Sequence, residues 1–563
     1  MKNHLITRKQ RLAAIIFGFL SGIQTVNAAT YDLQDQQSSF DSPEPFLPFD
    51  PSPSSSILES LQQAETDLNK NQYLDVLNLL KQNKVEEADK KLAQLVQDNP
   101  NVAAFHNLQA LLYLIKKDNE AAAKSYQKAI NLAPQSILAY LGMAILKLDQ
   151  NQLDQAEVYA NKAININDKA IKAYFVLADV ALKQKNTDEV EKTLLTALEK
   201  ANGDVNAEAE VVKNLGKFYL TQKQPEKILA LSEDLNRRYP DNKTVLSLLA
   251  GAQLVNNKLE PGQQTLLRII DQDPKDINHR LLLAKLLGAQ PGKEKETLDL
   301  MTETAKIDTN NPQANFLKGA YLIKLRRTGE ALELAKQLDS QFPKLPLGKI
   351  LQGDAYLADK KLDQATTAYQ KAYQLQTNDK ILALIADLLN AQNKSDDALK
   401  LLNSELAKNP ENMTAHFKLA TTYQQQNDYS KAEQHYQAVL KQQPDNPLAL
   451  NNLAWLYSQQ KNPKALELAK KAYEKASASA AIADTYGYIL LKQGQPTKSL
   501  DLLEKAASLA PKANDIQYHL AEAQVANGNK QKAVKILETI TTAESDFTEK
   551  KAAAALLDQL KTQ

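Results

Sequence analysis

Residues 103–136 read AAFHNLQALLYLIKKDNEAAAKSYQKAINLAPQS, and residues 137–170 read ILAYLGMAILKLDQNQLDQAEVYANKAININDKA. Each stretch is 34 residues long and has alanine at its positions 8 and 20. Alanine recurs at nearly the same spacing along the chain; position 20 is taken by Ala88, Ala122, Ala156, Ala331, Ala365, Ala398 and Ala432. A period of 34 residues predicts a stack of helix–turn–helix units.

The spacing of small, aromatic and proline residues has a simple packing explanation. Positions 8 and 20 need small side chains because the two helices of one hairpin cross closely there. Four residues after position 20, on the same helical face, tyrosine often follows, as in Tyr126, Tyr369 and Tyr436. Pro100 and Pro134 stand at position 32, where proline suits the end of the second helix because it has no amide hydrogen to donate.

These features together resemble the tetratricopeptide repeat (TPR) over residues 69–541, with about fourteen units. The pattern is blurred around residues 291–311 and slips by one residue near Ala465, which we interpret as local kinks within one array. The resemblance implies an all-α fold, a TPR helical-hairpin solenoid wound as a right-handed superhelix. We expect residues 57–541 to form the solenoid and residues 542–563 a C-terminal capping helix.

The N-terminal residues have the pattern of a secretory signal peptide. An apolar run over residues 12–23 is followed by Val26-Asn27-Ala28, an A-x-A-like cleavage site. Four basic residues precede the run: Lys2, Arg8, Lys9 and Arg11. We expect residues 1–28 to be the signal peptide, with an uncleaved anchor as the alternative, because the run is shorter than the roughly 20 apolar residues of a membrane span.

Residues 29–56 are rich in Ser, Pro, Gln and Asp and show little periodicity, which favours a flexible linker. A short adhesive motif around Phe46-Leu47-Pro48-Phe49 is the alternative.

The predicted signal peptide leads us to expect a periplasmic or secreted protein with no membrane span after cleavage. Peripheral association with the outer membrane is an alternative location. The chain contains no cysteine, so it can form neither a disulfide nor a lipid-modified cysteine.

Composition and motifs argue against catalysis and against nucleic-acid binding. The chain has 68 basic and 67 acidic residues, and this balance lacks the basic excess expected of a nucleic-acid-binding protein. We find no phosphate loop, dinucleotide-binding fingerprint or nucleophile elbow, and therefore expect no enzyme activity and no cofactor. His416 and His435 lie on the two helices of one hairpin and can approach each other, but without further ligands we expect no metal site.

In TPR superhelices, positions 2, 5, 9 and 12 of each first helix usually face the concave groove, which suggests a binding surface. The lysine–asparagine–arginine clamp for acidic C-termini is disfavoured, because Lys213, Asn214 and Lys217 are followed by Thr244, Ser247 and Gly251. The last three repeats are richer in groups suited to recognition. Their candidate partner-binding residues are Asn451, Trp455, Asp484, Tyr488, Tyr518 and Glu522. The alternative is that these rings only pack between neighbouring hairpins.

The C-terminal segment has a more specific resemblance. Residues 448–457 read LALNNLAWLY, and residues 483–490 read ADTYGYIL. This succession is similar to the end of bacterial TPR proteins of exopolysaccharide and exosortase (PEP-CTERM) systems. It implies a scaffold for protein partners of a cell-envelope assembly, in exopolysaccharide biosynthesis or export. The alternative function is direct binding of an exported glycan or a peptide in the C-terminal groove.

Overall fold

A computed structural model describes residues 67–82, 84–542 and 547–562. The described residues form 29 helices and contain no strand. They divide into two compact units, the described residues up to 314 and those from 315 onward. The predicted signal peptide and the predicted linker lie outside the described residues.

The first unit consists of seven helical hairpins, each made of two consecutive antiparallel helices joined by a short turn. Its helices are α1 Asp67–Lys81, α2 Val85–Asp98, α3 Ala103–Ile115, α4 Asn119–Leu132, α5 Ile137–Asp149, α6 Leu153–Ile166, α7 Ile171–Lys183, α8 Thr187–Ala201, α9 Val205–Thr221, α10 Pro225–Arg238, α11 Lys243–Val255, α12 Leu259–Gln272, α13 Ile277–Gly288 and α14 Glu294–Ile307.

The second unit has seven further hairpins and one terminal helix. Its helices are α15 Gln313–Lys324, which begins at the boundary between the units, α16 Thr328–Gln341, α17 Leu347–Ala358, α18 Leu362–Leu375, α19 Asp379–Ala391, α20 Ser395–Lys408, α21 Met413–Gln425, α22 Tyr429–Gln442, α23 Pro447–Gln459, α24 Lys464–Lys475, α25 Ala480–Lys492, α26 Pro496–Leu509, α27 Asn514–Ala526, α28 Lys530–Thr541 and α29 Lys550–Thr562.

The small residues lie where the two helices of a hairpin cross. Ala110 and Ala122, at positions 8 and 20 of the 103–136 repeat, are completely buried. At Gly353, which takes position 8 of its repeat, the contact is tighter still: an added Cβ atom would lie 2.6 Å from the Tyr369 ring. The crossing therefore excludes larger side chains, and the predicted packing role of these positions is confirmed.

The polar turns inside the hairpins share one backbone geometry, apart from the turn between α13 and α14. Lys117 has a left-handed φ of 61°, and the amide of Asp118 donates to the carbonyl of Tyr113 at 2.8 Å. This hydrogen bond closes a Schellman motif at the end of α3. The Asp118 carboxylate then accepts from the amide of Ala121 at 3.0 Å, and so caps the start of α4. One short segment thus ends the first helix and begins the second.

The repeat pattern weakens at two places in the sequence, but hairpins continue there. In the blurred region, Thr297 of α14 takes the small-residue position; it is completely buried, and its hydroxyl donates to the Lys293 carbonyl at 2.7 Å. That internal hydrogen bond satisfies the buried hydroxyl. At the one-residue slip, Ala465 of α24 is buried in the helix crossing as predicted.

Candidate interaction surface

The first helices of the last three hairpins, α23, α25 and α27, lie side by side: α23 contacts α25, and α25 contacts α27. Residues four apart share one face of a helix, so each first helix presents a pair of candidate residues on one face. The pairs are Asn451 with Trp455, Asp484 with Tyr488, and Tyr518 with Glu522.

Aromatic rings connect these three helices. The centroids of the Trp455 and Tyr488 rings lie 5.9 Å apart. The Tyr488 ring is stacked on the imidazole of His519, with 4.0 Å between centroids, and the Tyr518 ring lies 6.1 Å from the same imidazole. The structure therefore brings Trp455 and Tyr488 together directly, whereas Tyr518 joins them through His519. We call these four residues the aromatic row.

His519 is held in place by Asp484. Its Nδ1 atom lies 2.9 Å from a carboxylate oxygen of Asp484, and both side chains are largely buried. Burial disfavours the charged imidazole, but the hydrogen bond and the negative charge of Asp484 outweigh this effect and raise the pKa of His519. Asp484 therefore orients the His519 ring, which stacks on Tyr488.

Lys492 links the aromatic row to Glu522. Its ammonium group lies 4.6 Å from the centre of the Tyr488 ring and 3.2 Å from Oε1 of Glu522. The first distance is that of a cation–π contact. The other oxygen of Glu522, Oε2, is buried and accepts no hydrogen bond. The ammonium group of Lys492 thus occupies this part of the surface.

A second pair of carboxylates closes the same end of the array. The amide of Thr548 donates to Oδ1 of Asp515 at 3.2 Å, which ties the segment before α29 to α27. Burial, together with the hydrogen bond to Asp515 and its charge, raises the pKa of Glu549 to about 7. Oε2 of Glu549 is buried without a hydrogen-bond donor.

The six candidates differ in accessibility. Trp455, Asp484, Tyr488 and Glu522 are partly exposed, whereas Asn451 and Tyr518 are at least nine-tenths buried. Tyr518 packs in a cluster with Leu537 of α28 and Leu557 of α29, so packing accounts for most of its surface. Asn451 is different, because its Oδ1 is buried and has no donor. Partner binding by these residues stays a prediction.

Four residues of this surface, Asp515 among them, were not among the candidates. Lys492 lies at the end of α25, one turn beyond Tyr488, and His519 directly follows Tyr518, so both stand outside the groove positions of the repeat pattern. Glu549 lies after the last hairpin, where the repeat gives no positional signal. The acidic and aromatic residues near the C-terminus are the signal that could have included His519 and Glu549, whereas nothing in the repeat pattern points to Lys492.

Two family models that describe the tetratricopeptide repeat match the chain. One matches residues 219–286 and 490–560, and the other matches residues 73–137 and 417–481. The chain contains tetratricopeptide repeats. Its fold is an all-α TPR solenoid, and proteins with TPRs generally act as non-catalytic scaffolds for protein–protein interaction.

Two solved structures match the chain at low identity. A structure titled as the APC/C hetero-tetramer Cut9-Hcn1 is 15% identical; the match covers 90% of this chain and 99% of that one, with a TM-score of 0.37. A structure of Naa15/Naa10 bound to HypK-THB is 18% identical; the match covers 82% and 70%, with a TM-score of 0.29. Among curated proteins, none matches this chain.

The TPR hairpin α21–α22 brings two histidines into contact, as their positions in the sequence suggested. The Nδ1 atoms of His416 and His435 lie 2.9 Å apart, and Nε2 of His416 lies 2.9 Å from the Pro410 carbonyl. The facing Nδ1 atoms therefore share one hydrogen. The Tyr423 ring stacks on His435, with 5.7 Å between centroids.

The described parts of the chain are residues 67–82, 84–542 and 547–562. In these ranges no group of three or more His, Asp or Glu side chains is arranged to hold a metal ion. The TPR helices in the same ranges are each too short or too polar to cross a bilayer.

Proposed function

We propose that this protein is a non-catalytic periplasmic scaffold that binds protein partners of a bacterial envelope assembly through the first helices of its repeats. The observation that supports it best is the aromatic row, in which rings from three successive first helices make contact and two of them, Trp455 and Tyr488, keep partly exposed surface. Large, fairly rigid rings with polar tips are frequent at interface hot spots because they bury much area at small entropic cost.

The proposed mechanism is non-covalent positioning. Within each unit, repeats that contact only their neighbours place their first helices side by side, and partners bound to neighbouring repeats are held close to one another. The cellular setting rests on two features of the sequence: the signal-like residues 1–28, and the C-terminal resemblance to TPR proteins of exopolysaccharide systems. We therefore place the assembly in exopolysaccharide biosynthesis or export, with the scaffold in the periplasm or peripherally on the outer membrane.

A second candidate function is direct binding of an exported glycan or a peptide at the same surface. The observation that favours it is the combination of Trp455 with the neighbouring amide of Asn451 and the carboxylate of Asp484. Aromatic faces bind sugar rings as well as side chains, while amide and carboxylate groups accept hydrogen bonds from hydroxyl or amide donors.

Site-specific photo-crosslinking in living cells tests the scaffold proposal. A photoreactive phenylalanine derivative replaces Leu448, an exposed residue one turn before Asn451 on α23. The matched control carries the same group at Glu467, an exposed position on α24 of the same hairpin. We expect a discrete protein adduct from position 448, recovered in the envelope fraction, and none from position 467. Equal yields at the two positions, or no protein adduct at either, would overturn the proposal.

A further inference from the structure

The surface formed by α23, α25, α27 and the segment just before α29 contains buried hydrogen-bond acceptors that have no donor. Among the described residues, only two carboxylate oxygens are buried without a donor, Oε2 of Glu522 and Oε2 of Glu549. Both belong to this surface. A buried acceptor without a hydrogen-bond partner costs free energy. A ligand that supplies a donor here would form the missing hydrogen bond, and its binding would be favoured.

Asn451 gives an independent indication of the same kind. Its side chain is 8% exposed, its amide nitrogen donates to Asn452, and its Oδ1 has no donor. It lies one helical turn before Trp455 on the same face of α23. An acceptor beside the partly exposed indole therefore lacks a donor, and the backbone N–H of an extended peptide could supply it.

The charges of the surface favour a cation. Asp484, Asp515, Glu522 and Glu549 are four acidic groups, and two basic groups, Lys492 and His519, face them. When all six groups are charged, the surface has a net negative charge. The net charge is still negative when Asp515 and Glu549 share one proton. Such a surface attracts a basic ligand and repels an acidic one.

Lys492 shows where a ligand cation would lie. Its ammonium group touches the face of Tyr488 and a carboxylate oxygen of Glu522, the combination that binds a lysine or arginine side chain. The Lys492 side chain is nevertheless 48% exposed. It can therefore swing aside, and an incoming cation can take over both contacts and approach the buried Oε2 of Glu522.

We propose that the surface formed by Asn451, Trp455, Tyr488 and Glu522 binds an extended basic segment of a partner protein, whose lysine or arginine displaces Lys492. This inference rests on the proposed scaffold function and names the chemistry of the partner. A backbone N–H of the segment donates to Oδ1 of Asn451. The aliphatic part of its lysine or arginine side chain packs on Trp455, and the charged group of that side chain binds between Tyr488 and Glu522.

The intrinsic fluorescence of the mature full chain tests this directly, because Trp455 is its only tryptophan. The probe is an acetylated and amidated peptide of alternating lysine and glycine. Two further probes are the same peptide with every lysine Nε-acetylated, and the neutral sugar cellohexaose. We expect only the charged peptide to shift Trp455 emission saturably, and we expect added salt to weaken its binding.

Three variants locate the cation. Glu522→Gln should weaken binding of the charged peptide by at least about tenfold, because the buried charge partner is lost. Glu467→Gln, on the exposed side of α24, changes charge equally and should leave the affinity unaltered. Lys492→Met removes the internal competitor and should tighten binding several-fold. Thermal melting of each variant, compared with the parent chain, identifies any that is misfolded.

The outcomes separate this inference from the scaffold proposal. Equal affinity for the acetylated peptide, a response to cellohexaose alone, or an equal effect of the two glutamate variants would overturn the basic-segment inference. Each of these would leave the scaffold proposal standing wherever position 448 still crosslinks a protein. Failure of both experiments would remove both proposals, since no protein partner would then contact this surface.

Discussion

The ring of Tyr488 lies stacked on the imidazole of His519, although the two residues belong to different repeats. Their centroids are 4.0 Å apart, and Asp484, one turn before Tyr488, holds the imidazole by a hydrogen bond. The contact joins α25 to α27 and fixes the orientation of the Tyr488 ring. A partly exposed ring with fixed orientation loses little entropy when a partner binds it.

Replacing Ala122 by glutamate should destabilise the first unit by on the order of 3 kcal/mol. Ala122 is completely buried in the crossing of α3 and α4, so the longer side chain both overfills the contact and buries a charge. Chemical denaturation followed by circular dichroism measures the loss. The control Gln127→Glu adds the same charge at an exposed position of α4 and should change stability little. Equal stability of the two variants would show that the repeat register is misassigned.

The histidine pair should make the hairpin α21–α22 sensitive to acid. Burial, and then the charge of His416, lowers the pKa of His435 to about 4 in the folded protein, whereas an unfolded histidine titrates near 6.5. The neutral form is therefore favoured by folding: its stabilisation is complete above pH 6.5 and is lost as the pH falls from 6.5 towards 4. Tyr423 faces His435, and Lys431 lies over Tyr423, 5.0 Å from its ring centre.

His435→Gln tests this effect, because glutamine is polar but does not titrate. We expect the parent chain to lose a few degrees more in melting temperature than the variant between pH 7 and pH 5. Hydrogen exchange at α21 and α22 should locate the difference. Identical pH profiles for the two proteins would mean that partial burial does not disfavour the charged form of His435.

The N-terminal prediction is open to mass spectrometry of the protein from its native cells. We expect a mature N-terminus at Ala29 or Thr30 and recovery in the periplasmic or loosely membrane-bound fraction, because residues 12–23 form a short apolar run before an A-x-A-like site. Intact Met1 on protein from the cytoplasm would contradict the envelope setting, while intact Met1 in the membrane fraction would favour the uncleaved anchor.

The sequence predicts the hairpins well because their geometry makes local demands. Ala122 and Ala156 stand at positions where two helices cross, and such positions need a small side chain. The same requirement recurs about every 34 residues and does not depend on the rest of the repeat. Even Thr297, which departs from the pattern, meets the same demand by returning its hydroxyl to its own helix. Position within the repeat thus sufficed for α1 to α28.

The candidate surface was predicted only in part, because it depends on contacts between repeats. Tyr488 and His519 meet through the packing of α25 on α27, and no local pattern states which side chains will stack there. Tyr518 is buried largely because α29 packs on the last hairpin, and the residues after α28 carry no repeat period. Glu549 joins the surface for the same reason.

Trp455→Ala tests the central claim most directly, with binding and stability measured on the same sample. The ligand is the partner recovered by crosslinking at position 448, and circular dichroism gives the helicity and melting temperature. We predict that binding weakens by roughly 2 kcal/mol while most of the helicity and the melting temperature are retained, because the partly exposed indole contributes to the interface. A clear fall in melting temperature with unchanged binding would contradict the account and assign Trp455 to packing between hairpins.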